Sequence, residues 1–128
     1  MDNREKQLLT AETCARMMYG VKAKSNQSEV VFTVLRGGNY DDEEQYFIPD
    51  NLGFAFKIDE FKLLLRPMSS MSDDDDMHRC AFLDDIEGGV AEAIPNYIEW
   101  LNQNHYDYRG WIEKGLALEA PEGTYNLK

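Results

Sequence analysis

The chain has no long apolar run, only two cysteines and few basic residues beyond its first third, and each shortage closes off a class of protein. Its longest apolar runs are a few residues, far below the roughly 18 needed to cross a bilayer. Met1 to Lys6 is charged where a secretory leader would be apolar. No membrane span or export is expected, and the setting that follows is cytoplasmic. Cys14 and Cys80 lie far apart with no Cys-x-x-Cys or metal-type spacing, which predicts two small, buried, reduced side chains and no disulfide.

The shortage of basic residues is uneven. Residues 1–40 hold six Lys and Arg against four acids, and the remainder holds seven against twenty, for a net charge of -11. Counterion release on a phosphate backbone needs clustered Lys and Arg that the later two thirds lack, so neither direct nucleic-acid binding nor an anionic membrane surface is expected. Gly37 and Gly38 form no phosphate loop, because no Gly-Lys-Ser/Thr follows and acids do. Hydrophobic residues at 43% exceed what a disordered chain carries, so the acids are read as the surface of a folded body. The length suits one domain, residues 1–128, with 1–7 and 119–128 loosely held.

What is present organises around Leu65 to Asp76. Before it, apolar residues fall in short runs that suit strands; after it they recur at helical spacing. Thr10 is read as the cap of a short helix with apolar positions Ala11, Cys14, Ala15 and Met18, ended by Gly20, with Met17 and Met18 as core filler. Val21 and Ala23, then Val30 to Leu35, predict a hairpin over a polar turn, closed by Gly37, Gly38 and Asn39 before an acidic loop, Asp41 to Glu44. Tyr46 to Ile48 reads as a third strand stopped by Pro49, with a turn over Asp50, Asn51 and Gly53. Phe54, Phe56 and Ile58 then alternate at a period of two. Phe61 to Leu65 continues apolar until Pro67, which cannot donate to a ladder.

Ser72 reads as a helix N-cap, and Asp73 to Asp76 place negative charge in the first turn, where the macrodipole favours it. Met77, Cys80 and Ala81, with Leu83 at their margin, are predicted to face inward, leaving Asp74, Asp75, His78, Arg79 and Asp85 in water. Gly88 and Gly89 break that helix. Ile94, Tyr97, Ile98, Leu101 and Tyr108 are compatible with another amphipathic helix, with Pro95 near its start and Asn102 to His105 at its end. Asp107 reads as the N-cap of a last short helix, Tyr108 to Lys114, with Trp111 and Ile112 inward and Gly115 as its left-handed stop, followed by a short exit strand at Leu116 to Leu118. The fold class is α+β: a small, mainly antiparallel sheet in the N-terminal half, followed by two or three helices packed on it.

Reactive constellations are thin. Cys80 and His78, two apart, diverge on a helix; Cys80 and His105 meet only if the fold joins them; and a zinc site lacks further ligands. Asp73 to Asp76 are adjacent and splay around a helix start, unlike the alternating acids and sharp Gly turn of a calcium loop. No catalytic residue, cofactor or metal is therefore expected. Trp100, His105, Tyr106, Tyr108 and Trp111 make the densest aromatic patch. Beside the reading of these rings as core, Trp100, Tyr106, Tyr108 and Trp111 are candidate protein-contact residues, being Tyr and Trp rimmed by acids.

Two of these segments, Leu-Leu-Arg-Pro-Met-Ser-Ser-Met at Leu64 to Met71 and Tyr-Asp-Tyr-Arg-Gly-Trp-Ile-Glu-Lys-Gly-Leu-Ala at Tyr106 to Ala117, resemble short uncharacterised proteins of prophages and mobile elements in Bacteroidales-type bacteria. Trp111 departs from that pattern, which more often carries Leu. The resemblance implies a bacterial or phage cytoplasmic setting and a small accessory role, and carries over no catalytic residue. Three readings follow: a non-enzymatic accessory protein acting on an unknown protein partner; an acidic DNA-mimic decoy that inhibits a nucleic-acid enzyme; and a small hydrolase or metal enzyme using His78, His105 and Cys80.

Overall fold

Asp2 starts the first helix. Its carboxylate accepts the Glu5 N–H at 2.7 Å while Glu5 Oε1 accepts the Asp2 N–H at 3.1 Å, a reciprocal cap that begins α1 (Asn3–Met17) well before Thr10, which lies inside the helix. The buried stripe of α1 is Leu9, Glu12, Thr13 and Arg16. Ala11 and Ala15 face water and Met18 is 78% exposed, which corrects the apolar stripe read from sequence; only Met17 and Cys14 of that set pack against the core. The helix rotates to bury Leu9 and to deliver the Arg16 guanidinium to a backbone carbonyl, so charge and not apolarity marks half of its inner face. Gly20, at φ +71, turns the chain into the sheet.

A computed structural model describes residues 2–28, 30–39, 45–49 and 55–125; the readings of Asp41 to Glu44, of Asp50, Asn51 and Gly53, and of Phe54 lie outside them. The strands are β1 (Lys22–Ser25), β2 (Val31–Asn39), β3 (Gln45–Pro49), β4 (Phe56–Lys57), β5 (Phe61–Pro67), β6 (Tyr106–Asp107) and β7 (Ala117–Glu119). Their order is β4-β3-β2-β1-β5-β6, with β7 also on β5. Four pairings are antiparallel; β5 pairs in parallel with β7 over Leu63–Leu65 and with β6 over Arg66–Pro67. Gly37, Gly38 and Asn39 are inside β2, opposite Phe47, Tyr46 and Gln45, and do not close it.

One face of this sheet is the core. Phe32 stacks on Phe56 with centroids 4.8 Å apart, and Phe61 meets Phe32 and Phe47 edge-on at 6.0 and 5.6 Å, with Leu63, Leu65, Leu9 and Trp111 closing around them. A parallel return to β5 requires a crossover. A 3₁₀ turn (Met68–Ser70), α2 (Asp73–Glu87) and α3 (Ala93–Gln103) supply it before β6. The architecture is the expected α+β fold, with a mixed sheet and two α-helices after it.

The predicted last helix is instead a single turn. Asp107 accepts the Trp111 and Ile112 N–H groups, both at 2.9 Å, but it sits in β6, and residues 111–115 form hydrogen-bonded turns closed by Gly115 at φ +78. Asp107 and Gly115 thus act as start and stop of something shorter than a helix. The chain then docks again. Ala23↔Leu63 is the last β1–β5 pair on that side, and beyond it the Tyr125 hydroxyl accepts the Lys22 N–H at 2.8 Å and donates to the Leu64 carbonyl at 2.6 Å.

Tyr125→Phe leaves those two backbone groups without a partner and should lower unfolding stability by about 1–3 kcal/mol. Urea denaturation read by circular dichroism checks it; an unchanged midpoint would mean that water replaces the hydroxyl.

Candidate functional site

The helix after the sheet is held at its first turn. Ser72 Oγ accepts the Asp75 N–H at 3.1 Å, as its N-cap role predicts. Asp75 then turns inward: its carboxylate accepts the Tyr106 hydroxyl proton and lies 3.8 Å from Arg66 Nη2. Arg66 itself stands 4.4 Å over the Tyr106 ring and donates to the Asn104 carbonyl at 3.1 Å. Burial first, and the hydrogen bond to Asp75 second, hold the Tyr106 phenol far above its ordinary pKa, so it remains a donor throughout the stable pH range.

Past that first turn α2 buries no residue. It leans on α3 through rings: His78 on Trp100 at 6.2 Å, and Phe82 on Tyr97 and Trp100 at 5.5 and 5.7 Å, a pairing in which rising positions on one helix meet falling positions on the other. The inner side of α2 is therefore Asp75, Phe82 and Ile86, with the exposed His78 ring at its margin against Trp100. Met77, Cys80, Ala81 and Leu83 are exposed, Met77 at 70%, which corrects the inner face read from sequence, whereas Asp74, His78 and Asp85 lie in water as expected. Two aromatic partners on α3 and one ion pair at Asp75 outweigh an apolar stripe with nothing opposite it. With Val90 in the connection and Ile94 on α3, 60% exposed, the hairpin carries four large exposed apolar side chains. Asp73, Asp74, Asp76, Asp84, Asp85, Glu87, Glu92 and Glu99 of the same hairpin are all exposed as well.

The four candidate contact residues divide. Tyr106 and Trp111 are 0% and 1% exposed, so neither is a contact surface: the first is enclosed between Arg66, Trp100 and Asp75, and the second closes the core with Lys114 Nζ 5.1 Å over its ring. Tyr108 is half-buried between the Arg16 and Arg109 guanidinium groups, 5.4 and 5.6 Å from its centroid. Trp100 alone belongs to the hairpin, half-buried between α2 and α3.

Beneath the hairpin lies a buried polar cluster. Arg16 donates to the Tyr106 carbonyl, and its Nε is 3.5 Å from Glu12, whose other oxygen is 3.3 Å from Arg109 Nε. Burial pushes Glu12 up and Arg16 down, each opposed by the other's charge. The i, i+4 spacing of Glu12 and Arg16 was the available signal for this pair, though on a helix it ordinarily marks a solvated face. A buried pair of this kind fixes geometry more than it adds stability.

His105, His78 and Cys80 are not brought together. His105 is buried at φ +61, its ring stacked 3.7 Å from that of Tyr125 and its Nδ1 without a hydrogen-bond partner; His78 lies against Trp100; Cys80 is exposed on the outer side of α2. Cys80 is thus not the buried residue expected. Among the described residues, no group of three or more His, Cys, Asp or Glu side chains could hold a metal ion, and no helix is long and apolar enough to cross a membrane.

Burial, and then the charges of Arg16, Arg66 and Lys22, lower His105 from 6.5 to about 4. Between those values the unfolded chain binds a proton that the native one refuses, so stability is full above about 6.5 and falls as the pH drops toward 4. His105→Asn keeps a residue that tolerates positive φ and removes the ring. Its pH profile should be flatter over this window by up to about 3 kcal/mol, and parallel profiles would remove His105 from the titration.

Comparison of the chain with protein families, with curated proteins and with solved structures finds no match.

Proposed function

We propose that the protein is a non-enzymatic accessory protein whose α2–α3 hairpin docks a basic, partly apolar segment of a protein partner. The observation that carries this reading is a helix with no fully buried residue that turns Met77 and Leu83 to water, on a hairpin whose Val90 and Ile94 are also exposed and whose exposed charges are mostly acids. Methionine suits such a surface because its unbranched side chain adapts to varied apolar shapes. The excess of exposed acids on the hairpin sets the partner's sign: an acidic segment would meet mostly like charge, whereas Lys and Arg would steer in and pair. The likeness of residues 64–71 and 106–117 to prophage-borne proteins supports a bacterial or phage cytoplasm as the setting.

The other two readings draw less support. A DNA mimic needs carboxylates along an extended face at phosphate spacing. Asp73 to Asp76 are bundled at one helix start, with Asp75 engaged by Tyr106 and Asp76 by Arg79 at 2.8 Å. The hydrolase or metal reading needs His78, His105 and Cys80 at one point, and their surroundings differ.

The test uses a short amphipathic Lys/Leu peptide and its Glu/Leu counterpart, with Trp100 fluorescence as the readout. The basic peptide should bind and the acidic one should not. Met77→Glu with Ile94→Glu should weaken binding at least about tenfold, ~1.4 kcal/mol, while leaving the unfolding midpoint in place, since both side chains are already exposed. Equal binding of the two peptides, or an unaffected double variant, would overturn the reading.

A further inference from the structure

The C-terminal segment crosses the sheet on the face away from the core. Leu63 has a ladder partner on each side, Ala23 of β1 and Ala117 of β7, so those two strands flank β5 on opposite edges. The Ala120 N–H still bonds the Leu65 carbonyl at 2.7 Å, at the end of the β7 ladder, whereas the Tyr125 hydroxyl accepts the Lys22 N–H of β1 at 2.8 Å. Residues 120–125 therefore pass over β5. Leu63 and Leu65 point into the core, so alternation places Leu64 and Arg66 on the crossed face.

A cleft of about 360 Å³ opens at this crossing. It is lined by Arg66 and Pro67 of β5, by Ser70 of the 3₁₀ turn, and by residues 119–123 and 125. That volume falls in the range of small-ligand clefts, roughly 300–1,000 Å³. Its walls are fixed in place. Ser70 Oγ donates to the Pro67 carbonyl at 2.6 Å, and the Thr124 N–H closes a turn on the Pro121 carbonyl at 3.0 Å, with Gly123 at φ +86. Tyr125 is anchored through its hydroxyl and by its stack on His105. A preformed wall lowers the ordering cost of binding.

The charged residues of the cleft are Arg66, Glu119 and Glu122, and they do not neutralise one another. Among the described residues, neither glutamate side chain has a hydrogen bond or an ion pair. Arg66 gives one N–H to the Asn104 carbonyl at 3.1 Å and stands 3.8 Å from Asp75, and a guanidinium fork keeps further donors. A simple anion would meet two carboxylates here, and a simple cation would leave Arg66 without a counterpart. The complement of such a cleft carries both signs.

We propose that the cleft binds a small zwitterion, an amino acid with an apolar side chain. Its carboxylate pairs with Arg66, its ammonium with Glu119 and Glu122, and its side chain lies against Pro67 and Pro121. No residue of α2 or α3 lines the cleft, so the site is independent of a partner docked on the hairpin.

Calorimetric titration of the full chain with L-phenylalanine, phenethylamine and hydrocinnamate tests it, since the two analogues each keep the ring and one charge. Phenylalanine should bind saturably at one site, at least tenfold more tightly than either analogue, because each analogue lacks one charge-assisted pairing. Glu119→Gln with Glu122→Gln should weaken phenylalanine at least tenfold without weakening hydrocinnamate, and should leave the urea midpoint in place, since both side chains are exposed and unpaired. Glu113→Gln, an exposed acid elsewhere, should leave binding unchanged. In the unmodified chain, amide shifts on titration should centre on residues 66–70 and 119–125. No saturable binding of phenylalanine, an analogue that binds as tightly, equal binding by the double variant, or shifts centred elsewhere would overturn the proposal.

Discussion

Tyr106 is the residue on which four elements converge. Its carbonyl receives the Arg16 guanidinium from α1, and its backbone pairs with Arg66 of β5. Its hydroxyl donates to Asp75 at the start of α2, and its ring takes Arg66 on one side and lies 5.9 Å from Trp100 of α3 on another. Each contact needs Tyr106 where it is, and none exposes it to water. Hydrogen bonds to charged groups are stronger than neutral ones, so a phenol between a carboxylate and a guanidinium is a firm joint in an enclosed place.

That joint separates two kinds of structure. On one side is a sheet with a phenylalanine core, covered by α1 and the Trp111 turn, where stability comes from burial. On the other is a helix tied at one turn and otherwise resting on aromatic rings. Local opening is expected to be easiest where few apolar side chains are buried, and α2 buries none. The surface proposed for a partner and the least buried helix are thus the same object, and its exposed acids would keep apolar side chains soluble while they are uncovered.

Much of the fold was legible because it obeys local rules: period-two alternation, Pro67 as a strand end, Ser72 before four aspartates, Gly115 as a left-handed stop. The errors share one cause. On α1 and α2 the sequence reading assigned the inner face to apolar residues, whereas Glu12, Arg16 and Asp75 face inward because α1 meets a carbonyl and α2 meets a phenol, partners 90 and 31 residues away. No local pattern encodes such partners. The same holds for Tyr106 and Trp111, which read equally well as surface or core, and for Arg66 beside Glu119 and Glu122, a juxtaposition visible only once the C-terminal segment is seen to cross β5. Asp107 was identified as a cap, but the turn it caps is too short to be a helix.

The central claim is that the Tyr106 hydroxyl holds α2 in place. Amide hydrogen exchange of Tyr106→Phe against the unmodified protein tests it directly, since only one oxygen is removed from an enclosed site. Loss of a hydrogen bond to a charged group, about 1.5–3 kcal/mol, should speed exchange across Met77 to Ile86 roughly 10- to 100-fold while the amides of β1, β2 and β5 keep their protection. Unchanged exchange in α2, or loss of protection spread evenly over the sheet, would contradict the account.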